Sequence, residues 1–304
     1  MKMPRLIVPF VFLAVCYFTG SAVAAQAAGI DAKALYAHHA HDSEDTNDMP
    51  FMKSESPVVT LKPVPAMIAT GVPETLTFSI TGDDGKPLED LSITHERLLH
   101  VVIASKDFTI FSHIHPEDSG PVTPAMKKAA QYPVKYVFPK AGSYIVGIDF
   151  AVKDNPYSRH FEIDVSGAPK MGALKTDFSR QKKFGVYDVT LSSAPEAVSA
   201  GKEVLFSYRV MKDGTPVTDL EPYLSAYMHA AIISTDFKYF MHEHGLAPGM
   251  AEHMDHMMHM NLPEKFGPVI ELHVTFPARG TYEIFGEIKH HDKVIVTSFM
   301  VEVR

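Results

Sequence analysis

The chain repeats itself, and this constrains its fold more than any other feature. Val59-Thr60-Leu61 returns as Val189-Thr190-Leu191, and Ala69-Thr70-Gly71 as Ser199-Ala200-Gly201, both 130 residues further on. Leu76, Phe78 and Ile80 alternate with polar residues, as Phe206, Tyr208 and Val210 do, which is the two-residue period of a strand with one buried face. Gly85-Lys86-Pro87 matches Gly214-Thr215-Pro216 at an offset of 129. The lost residue falls in a turn, where strand register is not disturbed. The match is tightest where residues 98–108 lie over 227–237, followed by Phe111, His113 and His115 over Phe240, His242 and His244. Phe138-Pro139 and Gly142-Ser143-Tyr144 then match Phe276-Pro277 and Gly280-Thr281-Tyr282 at an offset of 138, so the second copy carries an insertion between His244 and His273.

Each copy is built of short alternating segments separated by turn residues, with no amphipathic helical stretch. That pattern predicts an all-β chain of two tandem immunoglobulin-like antiparallel β-sandwich domains. The expected boundaries are 58–168 for the first domain, 169–186 for a linker, and 187–304 for the second domain with an insert at 245–262. A barrel is the competing architecture. Ahead of the repeats, Lys2 and Arg5 precede an apolar stretch at 6–18 and the A-x-A sequence Ala22-Val23-Ala24. This reads as a signal peptide, residues 1–24, and as export to the periplasm. An uncleaved anchor is the alternative, for which the apolar stretch is short against the roughly 20 residues of a span. Cleavage near Ala24 removes Cys16, the single cysteine, so thiolates and disulfides drop out of the argument. Residues 25–57, with His38, His39 and His41 followed by acidic residues, read as a flexible His/acidic leader.

A formal net charge of −8 excludes a nucleic-acid binder, which needs a basic face to neutralise phosphates. No glycine-rich phosphate cradle is present. A hydrophobic share of 46% excludes disorder over most of the length.

Histidine supplies the chemistry. Taking residues 99–115 as a hairpin with Lys106-Asp107 at its tip places His100 opposite His113, with His115 diagonal on the same face. The second copy, with Thr235-Asp236 at the tip, places His229 opposite His242 and His244 diagonal. Opposed Cβ atoms about 5 Å apart allow three imidazoles to converge on one ion. The opposite face (Leu99, Val101, Ile103, Phe108, Ile110, Ile114) is expected in the core. The histidine face, with Val102, Thr109 and Phe111, is expected to be partly exposed. A single strand histidine more often bonds a backbone group, but these three positions carry His in both copies, whereas His95 aligns with Leu224. A structural role inherited from one ancestor is the alternative.

The insert adds soft donors. Eleven of the twenty residues 241–260 are His or Met. Met250, His253, Met254, His256, Met257, Met258, His259 and Met260 form a donor run in which thioether favours Cu(I), while imidazole widens the range to Cu(II), zinc and nickel. A core methionine stripe is the bland alternative, and the interleaved His, Glu252 and Asp255 argue against it. His290-His291-Asp292 reads as a surface hairpin tip.

At His100…His113-x-His115-Pro116 and its second copy the sequence resembles the YtkA-like family of exported domains, and more distantly the CopC-type periplasmic copper-binding proteins. The resemblance implies an immunoglobulin-like sandwich, a role in copper handling, and His100, His113, His115, His229, His242 and His244 as ligands. The duplication and the insert depart from it.

The leading expectation is therefore an exported, non-enzymatic copper-binding protein that buffers, sequesters or transfers copper, with zinc the lesser cofactor. Its partners would be copper ions and a membrane copper transporter or a copper oxidase under assembly. A three-histidine metalloenzyme is the second reading, weakened because no carboxylate stands out beside both histidine sets. Zinc or nickel binding, or a purely structural sandwich module, completes the set.

Overall fold

A computed structural model of the chain describes residues 57–63, 68–250 and 262–304. The residues read as a signal peptide, nearly all of the expected leader, and residues 251–261 of the insert lie outside the described residues, so His253, Met254, His256, Met257, Met258, His259 and Met260 do too. The described residues belong to one compact unit.

Eighteen strands carry the described fold. In the first copy these are β1 (Val58–Pro63), β2 (Ile68–Ala69), β3 (Pro73–Thr81), β4 (Leu91–Ser92), β5 (His100–Ser105), β6 (Phe111–Ile114), β7 (Gln131–Val137), β8 (Gly142–Val152) and β9 (Asn155–Ser166). The second contains β10 (Gln181–Phe184), β11 (Tyr187–Ala194), β12 (Glu203–Lys212), β13 (Thr215–Pro216), β14 (Met228–Ser234), β15 (Phe240–Gly245), β16 (Val269–Thr275), β17 (Gly280–His290) and β18 (Lys293–Val303). A 3-10 helix, Pro116–Ser119, and a short α-helix, Pro124–Ala129, stand before β7. The first sandwich pairs a sheet β1-β3-β7 with a sheet β2-β9-β8-β5-β6, on which β4 joins β8. The second pairs β10-β11-β12-β13, with β16 on β12, against β15-β14-β17-β18. The chain thus forms the two tandem antiparallel sandwiches expected of it. Part of the expected linker departs from expectation, because β10 pairs with β11 and belongs to the second sandwich.

Alternation explains each core. Leu76, Phe78 and Ile80 on β3 are fully buried, as are Phe206, Tyr208 and Val210 on β12. Each set meets its neighbour in matching register: Ile80 opposite Val59, and Val210 opposite Val189. The central strands behave differently. Every residue of β5 and of β14 is buried, on both faces. One face (Leu99, Val101, Ile103; Ala230, Ile232) enters its own sandwich core. The other face forms a third cluster drawn from both copies: Val102, Ala104, Phe108 and Ile145 with Ala231, Ile233, Phe237, Phe240, Phe285 and Met300.

The two sandwiches therefore pack sheet against sheet along a seam. Phe111 stacks on Phe285 with ring centroids 4.4 Å apart. Phe240 lies on the backbone of Gly147, where an added Cβ would stand 2.5 Å from the ring, so glycine is required for the approach. Val102 and His100 on the histidine face are consequently covered by the other sandwich, while Phe111 is half-buried and Thr109 at the turn is exposed, so the face is partly exposed only toward the hairpin tip. Phe108 joins the seam rather than its own core.

Candidate metal centre

The pairing of the histidine hairpins differs from the expected one by two residues. His113 lies opposite Val102, and His229 lies opposite His244 instead of His242. The cause is the turn. It spans four residues rather than two, closed by the Ser105 N–H donating to Ile110 O at 3.0 Å, and Phe108 takes φ 52°. The second copy closes with Ser234 and Tyr239 in the same way, with Phe237 at φ 66°. Two and four are both even, so every histidine keeps its expected face.

These faces meet at the seam. His100, His229 and His242 are buried, and the His113 side chain is 1% exposed. One ring nitrogen from each of His100, His113, His229 and His242 lies within 4.8 Å of the others, two rings from each copy. Nδ1 of His100 faces Nε2 of His113 at 3.1 Å, and Nδ1 of His229 faces Nε2 of His242 at 3.3 Å. Nε2 of His115 reaches Nε2 of His113 at 3.2 Å.

The outer nitrogens decide the tautomers. Nε2 of His100 lies 3.0 Å from the Thr94 carbonyl, and Nε2 of His229 lies 3.1 Å from the Tyr223 carbonyl. A carbonyl only accepts, so both Nε2 atoms carry the proton and both Nδ1 atoms present lone pairs. Nδ1 of His113 donates to Glu287 Oε2 at 2.5 Å, and Nδ1 of His242 stands 3.5 Å from Asp149 Oδ2. The Nε2 atom of His113 is therefore a lone-pair nitrogen as well, whereas Nδ1 of His242 makes no hydrogen bond among the described residues, which leaves its Nε2 free to donate to Nδ1 of His229. The lone pairs of His100 Nδ1 and His113 Nε2 face each other at 3.1 Å in a buried site and repel unless a cation lies between them.

The carboxylates obey the duplication. Asp149 and Glu287 are equivalent positions, 138 residues apart, and each stands beside a histidine of the other sandwich, Glu287 bonding His113 and Asp149 approaching His242. The sequence expectation that no carboxylate stands beside both histidine sets is thus corrected. Each strand register explains it, with Asp149 opposite His100 and Glu287 opposite His229. Comparing the repeats at offset 138 could have found the pair; what was missing was the seam that carries each across to its partner.

Burial controls the charge state. It lowers His100 to about 3, with the neighbouring His113 adding to the effect. His115 falls to about 4 for the same two reasons. Burial first, then the facing imidazoles, holds His229, His242 and His244 well below the ordinary value. These rings are neutral at pH 7, which is the ligating form. Asp149 is pushed up to about 7 by burial, against the bond it accepts from Ser158 Oγ.

Other sequence candidates fall elsewhere. Met250 packs against the second sandwich core, and its sulfur accepts from Tyr227 Oη at 3.4 Å. His290 and His291 do stand at the β17–β18 tip, but His290 is buried, and both rings bond Asp219 at 3.0 Å. His95, set aside in the sequence because the second copy has Leu224, stacks on His244 with centroids 3.7 Å apart.

Fold and site together define a duplicated β-sandwich protein with an imidazole-lined seam between its halves. The chain belongs to the family described as Domain of unknown function (DUF8832), which matches residues 53–167 and again residues 182–304. No curated protein matches it. Among solved structures it is similar to a DUF4426 family protein of Pseudomonas aeruginosa PAO1, at 12% identity, 41% of this chain, 96% of the other and a TM-score of 0.27. It is also similar to the Escherichia coli adhesin FdeC, at 10% identity, 82% of this chain, 64% of the other and a TM-score of 0.23. For the Yersinia pseudotuberculosis adhesin InvE the figures are 9%, 80%, 58% and 0.24. Likenesses this distant carry no functional argument.

Proposed function

We propose that this chain is an exported copper-binding protein that holds its ion in the seam between two sandwiches. The observation that carries the reading is the convergence of four imidazole nitrogens, two from each copy, within 4.8 Å of one another. His100 and His229 bind through Nδ1, and His113 and His242 through Nε2. Four protein nitrogens complete a tetrahedral sphere and leave no open position for substrate, which favours storage or sequestration over catalysis. Imidazole suits copper, zinc and nickel, and among divalent ions copper binds such a set most tightly. The Met/His run from Met250 to Met260 supports copper over the others, because thioether selects Cu(I). That run is the natural point of capture and release, since the four-histidine set is buried. The signal-like residues 1–24 support export to the periplasm.

The experiment is a competition titration of the purified chain with Cu(I), Cu(II) and Zn(II) against coloured chelators. It runs beside a His113→Ala/His242→Ala double variant and a chain lacking residues 250–260. The double variant is expected to lose the tight ion, the deletion to lose the weaker Cu(I) sites, and copper to outcompete zinc. Glu287→Gln, which keeps the fold but weakens the hold on His113 Nδ1, should reduce affinity roughly 10–100-fold. Equal binding by the double variant would overturn the seam site, and preference for zinc would overturn the copper assignment.

A further inference from the structure

The seam contains one acid that neither the fold nor the metal centre uses. Glu283 of β17 lies opposite Ile233 of β14 and Met300 of β18, two residues that belong to the seam cluster. Its equivalent 138 residues earlier is Ile145, which is fully buried in the same cluster. The position therefore suits an apolar side chain, yet the second copy places a carboxyl there that is 2% exposed. Burying an acid costs stability, and an acid buried at the wall of a cleft is the mark of a binding site.

Glu283 stands at such a wall. A cleft of about 350 Å³ opens between the first hairpin tip (Phe108), the connecting segment (Lys175) and the β17–β18 face (Glu283, Met300), and this is enough for a small molecule. Three lysines (140, 175, 182) face three acids (107, 177, 283) across it, so it favours neither a bare anion nor a bare cation. Most of these charges are already engaged. Lys140 Nζ donates to Thr109 Oγ1 at 2.9 Å and stands 3.9 Å from Asp107, and Lys182 pairs with Asp177 at 3.0 Å. Two groups are left. Ser298 Oγ donates to Oε1 of Glu283, whereas Oε2 receives no hydrogen bond among the described residues. Exposed Lys175 has no carboxylate partner among the described residues. The second copy alone supplies this arrangement, because Ser298 and Met300 stand where the first copy has His160 and Glu162.

We propose that this cleft binds a small zwitterion of the class of the free α-amino acids. The ligand's ammonium donates to Glu283 Oε2, its carboxylate accepts from Lys175 Nζ, and a short apolar side chain lies against Phe108 and Met300. A free acceptor and a free cation fix the two ends, and the apolar wall between them takes the side chain. Burial pushes the Glu283 carboxyl up to about 7, against the bond from Ser298 and the nearby Lys182, with Asp177 adding to the rise. An ammonium beside it favours the ionised form, so binding near pH 7 sends the carboxyl proton to solvent. The stability given up by burying Glu283 is thus recovered when the ligand arrives.

The test offers the metal-free full chain each of the common L-amino acids at millimolar concentration and follows the melting temperature. Acetate and methylamine, each with one of the two charged ends, run beside them. At ten times its dissociation constant a ligand raises the midpoint by about 3–5 °C. At least one amino acid is expected to do so, acetate and methylamine are not, and Glu283→Gln and Lys175→Ala should each abolish the shift. Glu283→Gln removes a charge from a buried place and Lys175 is exposed, so neither loss reflects unfolding. Calorimetric titration of the active amino acid at pH 7, in two buffers of different ionisation enthalpy, should show a proton released on binding. No shift with any amino acid overturns the site, as does an equal shift in wild type and Glu283→Gln or an equal shift with acetate alone. Binding without proton release overturns the placing of the ammonium on Glu283. With metal absent throughout, none of these outcomes bears on the four-histidine site.

Discussion

Glu283 shows what the interior demands of a single ionisable group. It is 2% exposed, and Ser298 Oγ donates to its Oε1, yet burial pushes its carboxyl up to about 7. A raised acid means that the folded chain binds the proton more tightly than the unfolded one. Below the unfolded value near 4.5 both states are protonated and nothing is lost. As pH rises from there toward 7 the unfolded chain releases its proton first, and stability falls. The accumulated loss is about 3 kcal/mol at most. Glu283→Gln keeps a partner for Ser298 and has no charge to desolvate. Asp149 and the buried histidines titrate in both proteins, so urea denaturation at pH 5 and pH 8 should show the stability of wild type relative to the variant falling as pH rises, and the variant should exceed wild type at pH 8. Parallel pH profiles for the two proteins would contradict this account.

At the scale of elements, the tight turn of the histidine hairpin sets what the strands bring together. Asp107 is buried, and its Oδ1 accepts from Ser105 Oγ at 2.7 Å, Thr109 Oγ1 at 2.8 Å and Thr109 N at 3.2 Å. Oδ2 accepts from the Gly172 N–H at 3.1 Å, which ties the following segment to the turn. Asp107→Ala strands these donors, and a loss of roughly 1–3 kcal/mol is expected in the denaturation midpoint. Asp236→Ala should cost less, because its half-exposed carboxylate makes fewer such bonds and water can replace it. Equal losses at the two sites would refute the difference. This turn also marks where the sequence stops being informative. Alternation at Leu76-x-Phe78-x-Ile80 exposes strands and their inward faces directly, and parity alone places the six strand histidines on one face. The pairing itself depended on Phe108 adopting a left-handed angle, for which a phenylalanine gives no signal. The seam was half legible: six consecutive buried residues in β5 are the mark of a strand covered on both faces, although the histidine at its start reads as an exposed one. His95 was invisible to repeat comparison because the second copy has Leu224 in its place and the ring meets His244 only across the seam.

For the molecule as a whole, the seam makes two sandwiches into one folding unit, and Phe285 is its centre. It is 2% exposed, stacks on Phe111 at 4.4 Å and meets Phe108 edge-on at 5.9 Å, so it is the largest side chain that touches the other copy from β17. Each sandwich keeps its own core beneath it, with Ile284 and Tyr282 pointing the other way into the second. Phe285→Ala should therefore weaken the join without dissolving either half. A cost of about 3–5 kcal/mol is expected from the lost ring and its cavity. Because the cost falls on the coupling, its signature is a change in cooperativity. The metal-free wild type should melt in one calorimetric transition and the metal-free variant in two, one for each sandwich. An ion bound by rings from both copies opposes this separation, since it binds only the joined state. At a hundred times its dissociation constant it contributes about 2.7 kcal/mol, enough to draw the two transitions back together. A variant that stays single-transition without metal would mean that the polar half of the seam suffices. One whose two transitions ignore added copper would mean that the ion does not bridge the sandwiches.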